Sequence, residues 1–203
     1  MSETKPDWLN EPGKPVFYPK VGHCVFRGLT QDLAVPDKKL LELEDMEEGS
    51  RILVPMDRVA ELGLRRAGAA LEEIREVLSA EFEPPIEPSE ERQRQIDNLV
   101  REGSPRGLSR ALKHLHLHRQ VGGLTREEEQ VRRKIRSWLA AEVALSRGST
   151  RAEAQALLTR TLQDAMSAHR QKEKEEAAER RRVAKAEKQA AAQSRAEGSE
   201  ESR

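Results

Sequence analysis

The chain has 203 residues, of which 35% are charged and only 36% hydrophobic, and its 36 basic and 36 acidic side chains cancel at pH 7. That length holds one or two small domains, and such polarity leaves part of the chain outside any packed core. Zero net charge excludes the blanket attraction to nucleic acid or membrane of a strongly basic chain; one cysteine, Cys24, excludes an internal disulfide. No apolar run approaches the ~20 residues that a bilayer span needs, and the polar opening MSETKPDWLNEPGKP lacks the apolar stretch of a secretory leader. A soluble, cytoplasmic protein is the expectation.

Residues 1–12 carry Pro6 and Pro12 among charged neighbours and predict a loose arm. The texture then turns to β. Short runs around Val16-Phe17-Tyr18, Cys24-Val25-Phe26, Lys39-Leu40-Leu41-Glu42-Leu43 and Arg51-Ile52-Leu53-Val54 are each bounded by Gly or Pro. Four or five such strands predict a small curled antiparallel sheet or open barrel, although the leucine-rich run at 40–43 also suits a helix.

Past Gly63 the period becomes helical. Leu71, Ile74, Val77 and Leu78 make an amphipathic stripe over residues 69–80. Residues 82–88, with three prolines and acidic side chains, predict a linker and domain boundary. A second helix over 89–101 stops at Gly103. Ser104 caps a third, with Pro105 at its first position, where a missing N–H costs nothing. Gly122 and Gly123 end it. Thr125 and Glu128 form a capping box for a fourth helix that ends near Gly148, and Thr150 with Glu153 repeats the device for a fifth. Four antiparallel helices over 89–168 predict a compact bundle. Residues 169–203 alternate Glu with Arg and Lys on an alanine background and hold one valine, which predicts a solvated, partly helical tail.

The zero net charge hides segregation. Residues 37–61 carry eight acidic and four basic side chains, whereas residues 88–122 carry seven Arg or Lys against four acidic, with three histidines. This is a weak nucleic-acid signal, since salt screens so small an excess.

Catalytic templates are absent: no phosphate-cradling P-loop, GxGxxG, GxSxG or HExxH occurs. His23 and Cys24 are neighbours on a strand and point to opposite faces, so they cannot form a nucleophile–base pair, and Cys24 reads as a small buried hydrophobe. His114 and His118 share a helix face, but no cysteine or suitably spaced carboxylate completes a tetrahedral set, so exposed histidines that hold no metal are expected. The chain is expected to be no enzyme and to need no cofactor or metal.

The run Gly13-Lys14-Pro15-Val16-Phe17-Tyr18-Pro19-Lys20-Val21-Gly22-His23-Cys24-Val25 resembles the opening "G-x-x-V-x-Y-P-x-x-G-x-x" of the CarD/CdnL family of bacterial transcription regulators. Val54-Pro55, followed after a turn by Gly63-Leu64-Arg65, resembles that family's strand exit, and residues 98–115 and 124–145 follow its helical domain in length and order. The resemblance covers about residues 13–168. Between the arm (1–12) and the charged tail (169–203), which it leaves unmatched, it implies an α+β chain with a Tudor-like β-domain (13–66) and an all-helical domain (67–168). It also implies docking on the β subunit of bacterial RNA polymerase, as in the transcription-repair coupling factor, and a place at the nucleoid through polymerase. Leu41, Leu43, Leu53 and Pro55 are the expected polymerase-binding residues, since apolar side chains on an edge strand are a common docking device.

Family members also place a tryptophan wedge in promoter DNA. Counted back from Asn98-Leu99, that position falls on Glu91, and a carboxylate neither stacks on a base step nor tolerates phosphate. Trp138, among Ile135, Leu139 and Val143, looks like core, and Trp8 lies in the arm. The resemblance therefore implies weak, non-specific promoter contact through Arg92, Arg94, Arg101, Arg106, Arg110 and Lys113. The alternative is an adaptor whose helical domain or tail binds a further protein.

Overall fold

Alternation along the first strands decides how the molecule is assembled. The structure, a computed structural model, describes residues 6–31, 35, 38–68 and 70–200, with side chains described as far as residue 185. Five strands form one antiparallel sheet: β1 (Pro15–Tyr18), β2 (Gly22–Gln31), β3 (Lys39–Asp45), β4 (Arg51–Pro55) and β5 (Arg65–Arg66), in the order β4-β3-β2-β1-β5. The run at 40–43 is a strand. Because neighbours on a strand face opposite ways, β1 sends Val16 and Tyr18 to one side and Phe17 to the other. On the first side Val16, Tyr18, Cys24, Phe26, Leu41, Leu43 and Val54 build the core of the β-domain. Cys24 is fully buried there; burial, with the charge of Asp45, pushes its thiol up to about 12. It is the inert hydrophobe its sequence position suggests.

Of the arm, residues 1–5 lie outside the described residues, and the remainder departs from expectation. Residues Asp7–Asn10 form a 3₁₀ turn whose Trp8 and Leu9 are buried in the same core, with Trp8 edge-on to Phe26 at 5.5 Å. Two large apolar side chains offset the ordering of one short turn, since each fully buried one contributes roughly 1.5–3 kcal/mol.

The helices follow their local signals closely: α1 (Leu71–Ser79), α2 (Ser89–Glu102), α3 (Pro105–Val121), α4 (Arg126–Arg147) and α5 (Arg151–Glu200). Ser104 accepts the Gly107 N–H at 2.9 Å. Thr125 and Glu128 satisfy each other's backbone N–H at 2.8 and 3.2 Å, and Thr150 and Glu153 do so at 2.9 and 3.2 Å. α3 lies at the centre, its Leu108, Ala111, Leu112 and Leu115 packed with Ile74 and Leu78 of α1, Ile96 of α2, Ile135 and Leu139 of α4, and Leu158 and Leu162 of α5.

Two boundaries differ from those expected. Residues 82–88 are no domain boundary but a clasp across the bundle. Phe82 is buried with Leu117 and Met166, Lys113 Nζ donates to the carbonyls of Ala80 and Glu81 at 2.6 and 3.0 Å, and the Ile86 N–H donates to His118 Nε2 at 3.1 Å. The bundle therefore has five helices, α1 included. α5 also runs on to Glu200, although every side chain from 171 to 185 is exposed. High helix propensity and pairs such as Arg180–Glu176 at 3.3 Å carry it without burial.

The second face of β1 joins the two domains. Phe17 pairs across the sheet with His23 on one side and Arg65 on the other, so all three project together. Phe17 meets Trp138 of α4 edge-to-face at 5.2 Å, and the Arg65 guanidinium lies 4.6 Å from the Phe17 ring centre. Glu142, one helical turn beyond Trp138 and 0% exposed, has Arg65 Nη1 at 2.7 Å and His23 Nε2 at 3.4 Å, and accepts the Gly68 N–H at 2.6 Å. Gly22 is required beside it: its φ is +132°, and a Cβ there would lie 2.4 Å from Trp138 Nε1.

Burial alone would push the Glu142 carboxyl up, but the His23 ring, the Arg65 charge and the Gly68 N–H hold it below the usual carboxylate range. A depressed folded pKa contributes stability that is complete above the ordinary value near 4.5 and is lost as pH falls through the folded value. Glu142→Ala is expected to destabilise the protein by about 3 kcal/mol at pH 7, because it leaves the partly buried Arg65 guanidinium and the Gly68 N–H without their partner. Glu142→Gln is expected to lose less stability than the native chain between pH 5 and 3, roughly the window that linkage sets. Urea titrations across that range check both.

Candidate docking and nucleic-acid surfaces

The run Leu41-Glu42-Leu43-Glu44 alternates, and a strand turns alternate residues the same way. Leu41 and Leu43 are 0% exposed in the β-domain core, so these two expected docking residues are corrected to core residues. Glu42 and Glu44 take the outer face. There Glu42 lies opposite Leu53 and Glu44 opposite Arg51. Leu53 is 46% exposed and Pro55 is half-buried, and both stand on β4, an outer strand of the sheet. Arg51 pairs with Glu42 at 2.8 Å and Arg27, from β2, with Glu44 at 2.8 Å. The hydrogen bond from Arg27, then its charge, holds the Glu44 carboxyl below its usual range.

The outer face thus presents an apolar side chain beside a two-by-two arrangement of opposite charges, on a strand with one side unpaired among the described residues. Such an edge can take up a further strand by backbone hydrogen bonds, with the side chains setting specificity. From sequence Glu42 and Glu44 read only as part of a solvated acidic run, and nothing marks Arg27 or Arg51 as their partners. The alternation at 41–44 was the signal that could have found the acidic pair.

The six expected DNA-binding cations scatter. Arg92 is 5% exposed and lies between Glu128 Oε1 at 2.7 Å and Glu87 Oε1 at 3.2 Å; it ties α2 to the start of α4 and to residues 82–88. Lys113 is 7% exposed, and burial pushes its ammonium below the usual range while it holds the end of α1. Both are structural, which corrects their assignment. Arg106 meets Glu73 and Glu76 at 3.4 and 3.3 Å, Arg110 meets Glu83 at 3.1 Å, and Arg94 meets Glu91 at 3.1 Å. Arg101 is exposed.

The histidines are also corrected: His114 and His118 are buried and His116 half-buried. Burial, the largest influence, keeps His114 below the usual imidazole range despite Glu83 at 3.3 Å. His118 is likewise lowered by burial and by the Arg92 charge, which suits it as acceptor for the Ile86 N–H. Among the described residues no group of three metal-ligating side chains is brought together.

Glu91 stands on the first turn of α2, where it pairs with Arg94 and accepts from Gln95 at 2.9 Å. Trp8 and Trp138 are both buried, so neither can reach a base step. No described helix is long and apolar enough to cross a membrane.

Arg92→Ala is expected to cost about 3 kcal/mol, because Glu128 would be left buried without its partner. Arg94→Ala, whose pair is exposed, is expected to cost less than about 0.5 kcal/mol. Urea denaturation of the two variants separates the structural cation from the surface one.

The chain matches two family models in succession, that of the CarD-like/TRCF RID domain over residues 11–68 and that of the CarD C-terminal domain over residues 73–159. No curated protein matches the chain.

Proposed function

Because the chain belongs to the CarD/CdnL family, whose members are non-enzymatic, RNA polymerase-interacting transcription regulators, we propose that it docks on the polymerase β subunit through the outer face and unpaired edge of its sheet and modulates promoter open complexes from there. One observation carries this reading: Leu53 stands exposed on the edge strand β4 beside the Arg51–Glu42 and Arg27–Glu44 pairs. An exposed apolar anchor ringed by charged groups is the make-up of an interface centre.

Contact with promoter DNA is the weaker half of the proposal. Of the six expected cations, all but Arg101 are buried or paired with carboxylates, and both tryptophans are buried. Phosphate attraction without a wedge gives weak, sequence-independent, salt-sensitive binding. That same neutralisation favours a second reading, in which the helical domain engages a protein while the sheet holds polymerase.

Leu53→Arg is expected to abolish capture by purified β subunit while leaving the circular dichroism spectrum unchanged. Leu41→Arg is expected to unfold the β-domain instead, because a charge forced into an apolar core costs more than about 3 kcal/mol. Native-like β-subunit binding by a folded Leu53→Arg chain would reject this face. For DNA, Glu91→Trp is expected to lengthen open-complex lifetime in a competitor-challenge decay assay. Equal lifetimes with the native chain would show that this position is not where the family's wedge acts.

A further inference from the structure

Four guanidinium groups converge where α3, α4 and α5 meet. Arg119 of α3, Arg132 and Arg136 of α4, and Arg170 of α5 line a cleft of about 640 Å³, with half-buried His116 among them and Asp164 as its one lining carboxylate. Arg132 is 6% exposed and pairs with Glu129 at 2.7 Å. Two of the others find neutral partners: Arg136 donates to Thr159 Oγ1 at 2.9 Å and Arg170 to Gln120 Oε1 at 2.8 Å. Among the described residues Arg119, Arg136 and Arg170 have no carboxylate within ion-pair distance. The contrast with the α1 side of α3 is sharp, because there Arg106 and Arg110 each meet carboxylates.

Four cations held together against Asp164 and Glu129 repel one another, and a multiply charged anion between them would relieve that repulsion. Guanidinium forks match phosphate oxygens two by two, so the three forks without a carboxylate partner suit linked phosphates better than a single one. The volume is that of a small-molecule site, and a hollow bounded by three helices receives a compact ligand, whereas a duplex would meet only its rim. We propose that this cleft is a binding site for a small oligophosphate, a ligand with two or more linked phosphate groups.

Thr159 and Gln120 act as positioning residues that fix the Arg136 and Arg170 guanidiniums in the lining of the cleft. His116 reports on the site. Burial first, then the charges of Arg132, Arg119, Arg170 and Arg136, hold its ring below the usual imidazole range. An anion among those guanidiniums cancels part of that repulsion and moves the titration of His116 upward.

The test uses the full chain and sodium tripolyphosphate, followed by calorimetry and by the imidazole proton resonances of His116. Saturable one-site binding is expected, with an upward shift of the His116 titration. Arg136→Gln and Arg170→Gln are each expected to weaken it by about 10-fold or more, in line with the loss of a charge-assisted hydrogen bond. Arg106→Gln and Arg110→Gln should bind as the native chain does. If Arg136→Gln does not fold, Arg119→Gln, whose side chain is exposed, takes its place. Absence of saturable binding overturns the proposal, as does an equal loss in the Arg106 and Arg110 variants, which would reveal only diffuse surface charge. Duplex DNA held through Arg136 and Arg170 and not displaced by tripolyphosphate overturns it as well.

Discussion

The carboxylate of Glu142 is the constraint on which the arrangement of the two domains rests. It sits on α4 with no exposure to solvent, and the groups that compensate its charge, Arg65, His23 and the Gly68 N–H, all come from the β-domain and the segment that leaves it. A buried charge without such partners would cost several kcal/mol, so the packed arrangement is favourable only with the sheet's groups set against Glu142. The surroundings are equally specific. Phe17 packs against Trp138, Gly22 leaves room for the indole, and Arg65 Nε reaches the carbonyl of Gly103 at 2.9 Å. The edge strand β4 and the helices are thereby held at one mutual angle, as a protein needs if polymerase grips one end while the other faces a promoter or a second partner.

Arginines and lysines of this chain stand in sharply different electrostatic conditions, and their number alone predicts nothing. Arg92 and Lys113 are buried and hold elements together. Arg27, Arg51, Arg106 and Arg110 are exposed but each faces a carboxylate, so the field they send into solvent is small. Arg119, Arg136 and Arg170 are left with neutral partners or none in the α3–α5 cleft. That last group gathers cations without carboxylate partners into one cleft, and the net zero of the whole chain conceals it.

Residues 82–88 illustrate how prolines mislead. They do interrupt helix, but the freed backbone is taken up by Lys113, His118 and Arg92, which reach Ala80, Glu81 and Ile86. Backbone groups near a core must find partners, and here side chains of α2 and α3 supply them. His114 and His118, expected on a solvent face, are buried against the clasp, His114 with Glu83 at 3.3 Å and His118 accepting the Ile86 N–H.

The sequence by itself determined what local forces govern. Strand alternation, the Ser104, Thr125 and Thr150 caps and the glycine stops act within a few residues, so element order and most boundaries were legible, and so were the inert Cys24 and the core position of Trp138. The family signature belongs here too, since the strand turn around Gly22 and the exit at Gly63-Leu64-Arg65 are short motifs. Tertiary structure alone decided which polar groups are buried and with whom. Arg65 and Glu142 lie 77 positions apart, Arg92 and Glu128 lie 36 apart, and the cleft draws its arginines from three helices. Burial of a charge depends on what packs over it, and that is a property of the assembled layers rather than of any stretch of chain.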